Sequence, residues 1–269
     1  SMARTSEPSV TPHRAFMSEP DWHAALVFGN RVTVWPMSGD APLGNGQTHA
    51  LSEFSDLPGP VVAAGLDVSA IPVPAQVGPS TTYAANLPHV AAIPMMQQDR
   101  PAALTRGAET AVAGYLSTHT TFDGVLLVLG AETCWVHVSA REVVSFQSFL
   151  TPELAAALGA EPAVTNADFT DALTETLSRP DRLAQQLASA RAARTGQSLA
   201  HLIGAEIAAA KPYWLGQTVV ILGDEASTPP YLHALRNTGT TVQTYGFETA
   251  LITGLAQAWK ALASGPSSC

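Results

Sequence analysis

The stretch Gly124–Leu154, GVLLVLGAETCWVHVSAREVVSFQSFLTPEL, constrains the fold more than any other part of the chain. The apolar run Val125–Leu129 predicts a strand, and Gly130 a short turn. Cys134–Val138 and Val143–Phe149 predict two more strands, and Thr151 opens a helix. Glycine has no Cβ, so a glycine turn between two strands lets a ligand come close to backbone. A region that opens this way builds a sheet with helices packed on it.

The remainder supports that reading. Ala24–Phe28 and Arg31–Met37 read as strands joined at Gly29-Asn30, a tight hairpin. Pro60–Ala64 is a short strand closed by Gly65, and Val90–Pro94 is another. Pro72–Pro88 is rich in Pro, Ala and Ser and reads as an irregular connection. Gly107-Ala108-Glu109 opens a helix that runs to about His119. Asn166 caps a helix with Phe169, Leu173 and Leu177 on one face. Pro180-Asp181 opens the next helix, and Ser198–Ala210 follows at helical spacing. Thr218–Leu222 is a strand of the buried type ending at Gly223. Pro229–Asn237 is helical, Thr241–Tyr245 a strand, and Glu248–Leu262 the closing helix. No internal repeat is visible in the residues themselves.

The chain has 269 residues, 46% of them apolar and 13% charged, which suits one large domain or two smaller ones with ample core. With 13 Lys and Arg against 22 Asp and Glu, the net charge is −9. Nucleic acid and anionic membranes reward clustered basic residues, so neither is expected as a partner. The two cysteines, Cys134 and Cys269, do not make a disulfide framework, and reduced thiols fit a cytoplasmic protein. No apolar run reaches the length of a membrane span, and the first residues lack the layout of a signal peptide. Residues 1–20 read as a disordered arm.

The Gly130 region resembles the matching hairpin of the 2-dehydro-3-deoxygalactonokinase family, which reads PGTHSKWV and then TGEL. Here the same places read LGAETCWV and TPEL, so Glu132 and Cys134 stand where the family has His and Lys. Pro60–Gly65 resembles the family's PVVMAGM, Ile93-Pro94 its IIPG, and Thr105–Thr110 its MRGEET. Leu202–Glu206 resembles LIGAE, and Val220–Gly223 resembles the strand before the adenosine-side loop. Gly246–Ala250 resembles the opening of the last helix. The resemblance spans most of Ala24–Ala263 in order and spacing. It implies an α/β fold of the two-lobed, actin-like (ribonuclease H-like) kind, mixed sheets flanked by helices, with lobes at 21–118 and 119–269. It also implies transfer of the ATP γ-phosphate to a hydroxyl of 2-dehydro-3-deoxygalactonate or a related keto-deoxy sugar acid, with Mg²⁺.

Phosphoryl transfer needs backbone donors around phosphates, a metal held by carboxylate, and a carboxylate near the attacking hydroxyl. The resemblance assigns Arg106 and Glu153 to the substrate, Glu109 to the base or the metal side, and Gly29, Gly130 and Gly223 to the nucleotide. It identifies no metal ligands. Each residue also has a plain structural reading: a helix-start ion pair for Arg106 and Glu109, a helix-start charge for Glu153, and turns for the glycines. The family's first hairpin, DWGTTxLR, has two alignments here. One places its Asp at Asp21; the other puts Val27-Phe28-Gly29 in its place and removes the Asp. A glutamate facing a triphosphate repels it by roughly 1 kcal/mol at about 4 Å in water. The alternative reading is therefore a catalytically inactive relative that binds a small molecule or a protein. Assembly as a homodimer stays open.

Overall fold

The structure is a computed structural model that describes residues 19–78, 80–84 and 87–265. The arm expected over residues 1–20 lies outside these, apart from Glu19 and Pro20, and so does Cys269. In chain order the first half holds strands β1 (Trp22–Phe28), β2 (Arg31–Ser38), β3 (Ala41–Pro42), β4 (Gln47–Ala50) and β5 (Val61–Ala64). Then come β6 (Ile71–Pro72), β7 (Ala75–Gln76), β8 (Thr82–Ala84), β9 (Leu87–Ala92), β10 (Met96–Asp99), β11 (Ala102–Leu104) and helix α1 (Ala108–Thr118). The second half holds β12 (Gly124–Leu129), β13 (Thr133–Ser139), β14 (Glu142–Phe149), α2 (Thr151–Ala157), α3 (Ala167–Ser178) and α4 (Leu183–Ala193). It ends with α5 (Ser198–Ala209), α6 (Lys211–Trp214), β15 (Thr218–Gly223), α7 (Thr228–Asn237), β16 (Thr241–Gly246) and α8 (Phe247–Ala263).

One strand pattern occurs twice. The first sheet runs β3-β2-β1-β5-β9-β8, with β4 also on β2, and the second runs β16-β15-β12-β13-β14-β7. In each, an antiparallel hairpin (β1–β2, β12–β13) is extended on its first strand by two parallel strands (β5 and β9, β15 and β16). This duplication is the two-lobed, actin-like arrangement. It has no counterpart in residue identity, because each half keeps only the apolar pattern that its layer requires.

The core explains why that pattern suffices. Leu126 and Val128 of β12, with Val220 and Leu222 of β15, face one core; Val125, Leu127 and Leu129, with Val219 and Ile221, face another. Both strands are therefore covered on both faces, which is why they read as continuous apolar runs rather than alternating ones. The first core is shared. It also takes Trp22, Ala24 and Val62 from the first sheet, Ala111 and Val112 from α1, and Leu251 and Leu255 from α8. The helix pair α1 and α8 thus lies between the two sheets and joins the halves. A Cβ on Gly114 of α1 would meet the backbone of Ala250, and one on Gly254 of α8 the backbone of Thr110. The two helices cross at a seam that only glycine permits.

Most elements fall where the sequence places them, including the Asn166 cap, whose side chain accepts from the Phe169 amide at 3.0 Å. Pro72–Pro88 departs from expectation. It is not wholly irregular: β6, β7 and β8 lie in or at the edge of it, and β7 crosses to pair with β14 of the second sheet. Strands of two or three residues carry no alternation to read; tertiary pairing alone defines them.

Candidate active site at the strand ends

In sheets with parallel strands, ligands bind outside the carboxyl ends of those strands. Here β1 runs into the Gly29-Asn30 turn, β5 into Gly65, β12 into the Gly130 turn, and β15 ends at Gly223. Gly29 has φ +58 and Asn30 stays on the negative side, the pattern of a two-residue hairpin with glycine first. Gly65 (φ +79) lies against the backbone of Val27, leaving no space for a Cβ. Arg106 (φ +48) and Gly107 (φ +98) are two successive left-handed residues at the start of α1. A Cβ on Gly107 would sit 2.6 Å from Leu26 Cδ1, so this loop is seated on the end of β1. A non-glycine residue in the left-handed region is a strained feature of the kind that clusters at functional sites.

Arg106 reaches across to the other half, where its Nε is 3.0 Å from Glu132 Oε1 on the β12–β13 turn. Arg106 is 49% exposed and Glu132 17%. Burial pushes the Glu132 carboxyl up, Arg106 pulls it down, and the nearby Glu153 charge pushes it up again. The structure therefore brings Arg106, Gly130, Glu132 and Glu153 together. Residue identities showed an acid on this turn, but not that it pairs with Arg106.

Two buried carboxylates frame this arrangement. Glu109 accepts from Thr105 Oγ1, from the Gly107 amide at 2.9 Å and from Thr110 Oγ1 at 2.9 Å. Thr105 in turn accepts from the Met96 amide at 2.9 Å. Glu109 thus fastens both sides of Arg106 in place. It faces a cavity of about 20 Å³, room for about one water, bordered by Thr110, Met96 and Gln257. Burial raises its carboxyl above the ordinary range despite these donors.

Glu206, on α5, accepts four hydrogen bonds. Thr133 Oγ1 and Trp135 Nε1 donate to Oε1, each at 2.8 Å; Tyr231 donates to Oε2 at 2.7 Å, and Thr151 does so as well. One carboxylate therefore ties the glycine hairpin (β13) to α2, α5 and α7. Burial raises it too, with the four donors opposing. Its donors lie 25 to 73 residues away, so no local pattern could have revealed them.

The remaining residues fall as follows. Gly130 is open: a Cβ there would meet only the Glu132 carbonyl, at 3.4 Å. Gly223 is packed: a Cβ there would sit 3.0 Å from Leu129 Cδ1 and crowd Thr228. Glu153 is exposed in the first turn of α2. Asp21 bonds the Gly39 amide at 2.9 Å, at the end of β1 opposite Gly29, so the hairpin turn is formed by Gly29-Asn30 and carries no aspartate. Asp224 accepts from the Ala226 and Ser227 amides at 3.0 and 2.7 Å; despite burial, these bonds and that from the Ser227 hydroxyl hold it below the usual carboxylate range. It therefore serves its own loop. Cys134 is buried, and desolvation pushes its thiol up to about 12, far from a reactive thiolate.

The doubled sheet is the fold of the actin-like sugar kinases. The family model of 2-keto-3-deoxy-galactonokinase matches residues 57–258, and the chain belongs to that family. Among solved structures it is similar to a Sinorhizobium meliloti protein described as a candidate 2-dehydro-3-deoxygalactonokinase, at 22% identity and TM-score 0.74, covering 91% of this chain and 99% of that one. Component A of the (R)-2-hydroxyglutaryl-CoA dehydratase of Acidaminococcus fermentans matches at 12% identity over 90% of this chain and 97% of that one; its TM-score of 0.46 is too low to carry an argument. No curated protein matches.

Such a family implies a nucleotide and a divalent metal. The backbone fits the first, since the Gly29 and Gly130 turns lie at strand ends and Gly130 is unobstructed. Mg²⁺ at a nucleotide is held by one or two carboxylates together with the phosphates, so it asks for no all-protein cage. Among the described residues, no group of three or more His, Cys, Asp or Glu side chains is arranged to hold a metal ion. Among them, too, no helix is long and apolar enough to cross a membrane.

Proposed function

We propose that this protein carries out its family's phosphoryl transfer, from ATP to a hydroxyl of 2-dehydro-3-deoxygalactonate or a related keto-deoxy sugar acid, in the cytoplasm, with lobes dividing near residue 118. ATP, when bound, supplies the phosphoryl group. The turns at Gly29 and Gly130 would receive its phosphates through backbone. Gly223 serves by letting Leu129 and Thr228 close the floor behind them. Arg106 binds the acid group of the sugar, and Glu153 borders it. Glu109, which the resemblance assigns to the base or the metal side, is best cast as a positioning residue, because its donors hold the Thr105–Gly107 loop that presents Arg106. The observation that carries the reading is the strained Arg106 loop, aimed across the cleft at the Gly130 turn.

That same ion pair favours a second reading, a binding module without turnover, because Glu132 occupies the guanidinium that a sugar acid needs. Glu132→Gln should therefore tighten binding of 2-dehydro-3-deoxygalactonate by about tenfold, the worth of one partly buried charge pair. Calorimetry of the variant beside the parent checks this; equal or weaker binding removes Arg106 from the substrate site. The two readings separate in one experiment, ADP release with this substrate alongside thermal shift with Mg-ATP. A bound nucleotide at about a hundredfold excess over Kd stabilises by about 2.7 kcal/mol. Turnover supports the kinase, a nucleotide shift without turnover supports a binding module that keeps the nucleotide site, and neither signal overturns the kinase.

A further inference from the structure

A broad concavity of the second half has no part in the cleft. Helices α3, α4 and α5 enclose a space of about 580 Å³, within the range of small-molecule sites. Asp168, Asp171 and Glu175 border it from one face of α3, at spacings of three and four residues. Arg182 borders it opposite, and Gln186 and His201 form its floor. Among the described residues none of these acids is ion-paired, and neither is Arg182. Three carboxylates against one guanidinium leave a mouth of net negative charge, which attracts a cation.

A second, independent observation points to a ligand. Gln186 is only 6% exposed; its Oε1 accepts from Thr176 Oγ1 at 2.7 Å, and Thr176 also bonds His201 Nδ1 at 2.8 Å. Its Nε2 has no partner. Buried amide donors are normally satisfied, and leaving one unpaired costs about 1–3 kcal/mol. Burial holds the His201 ring below its usual range, so at neutral pH it adds no positive charge to the floor.

From the acidic mouth and the unpaired floor donor together, we infer that this concavity binds a small organic ammonium ion that also carries a hydroxyl or carboxylate acceptor, of the amino-sugar or basic amino-acid type. The ammonium sits among Asp168, Asp171 and Glu175. The acceptor pairs with the Arg182 guanidinium when anionic, and the Gln186 amide, whose Nε2 is sealed from solvent as it stands, turns to donate to it. The site is independent of the kinase reading, because none of its residues belongs to the cleft.

Calorimetry on the full chain at about 0.15 M salt, where loose surface attraction is screened, tests the idea with D-glucosamine and L-lysine. Spermidine (no acceptor) and glucose (no charge) serve as controls. At least one of the first two should bind by about 10 mM, about tenfold more tightly than either control. Asp171→Asn with Glu175→Gln, both at exposed positions, should weaken it about tenfold. Gln186→Met should weaken it as well, and Arg106→Gln should leave it unchanged. Binding of neither probe, spermidine binding as tightly as the probes, or affinity indifferent to the paired acid substitution would each overturn the assignment.

Discussion

Glu206→Ala should cost about 4 kcal/mol of stability, read from urea unfolding, because it strands several buried donors at once. Thr133, Trp135, Thr151 and Tyr231 converge on this carboxylate from three other elements. Glu206 is only 2% exposed, so the stranded donors lie away from bulk water. Glu206→Gln should cost less, about 2 kcal/mol, since its carbonyl keeps one pair of donors while its amide confronts the other. The difference between these variants also isolates a pH effect. Burial raises the folded-state value of Glu206 above the ordinary 4.5. Below 4.5 both states are protonated and the contribution is complete. As pH rises from there through the raised folded value, the unfolded chain gives up its proton first, and stability falls. Glu206→Gln should flatten that fall in the melting temperature. Parent and variant curves that stay parallel across the window would show that Glu206 is not held as described.

The second large effect is at the helix crossing. Gly114→Ala should destabilise by about 2 kcal/mol although alanine is the better helix former by about 1 kcal/mol. The new methyl would be driven into the α8 backbone at Ala250, and backbone in a packed helix cannot give way as a side-chain tip can. Gly254→Ala, the reciprocal change, should act alike through Thr110. Because α1 and α8 form the layer between the sheets, the cost should appear as loss of the whole cooperative transition rather than of one half. A rise in melting temperature for either variant would mean that the helices do not touch here.

Much of this protein was legible one residue at a time. The apolar runs of β12 and β15, the Gly29-Asn30 turn, the Asn166 cap and the closing helix each follow from local chemistry: burial on two faces, φ beyond reach of a Cβ, a side chain that accepts an orphan amide. Thr105–Thr110 and Leu129–Val136 identified the segments that meet in the cleft. What those segments do to each other was not legible. Glu132 read as a repulsive acid beside phosphate, and only the folded chain gives it Arg106 as partner. Glu206 stood only as the last residue of the Leu202–Glu206 match, and packing alone supplies its donors. Gly130 and Gly223 looked equivalent as strand-end glycines, yet one is open and the other is filled by Leu129 and Thr228.

The amino-acid order alone determined the succession of strands and helices, the turns and the family scaffold, because those depend on neighbours within a few residues. Tertiary structure alone decided which carboxylate faces which donor, that one helix pair serves both sheets, and that an unpaired amide lies under an acidic mouth. Such pairings join positions tens of residues apart, and they come from burial and geometry that no short stretch of chain encodes.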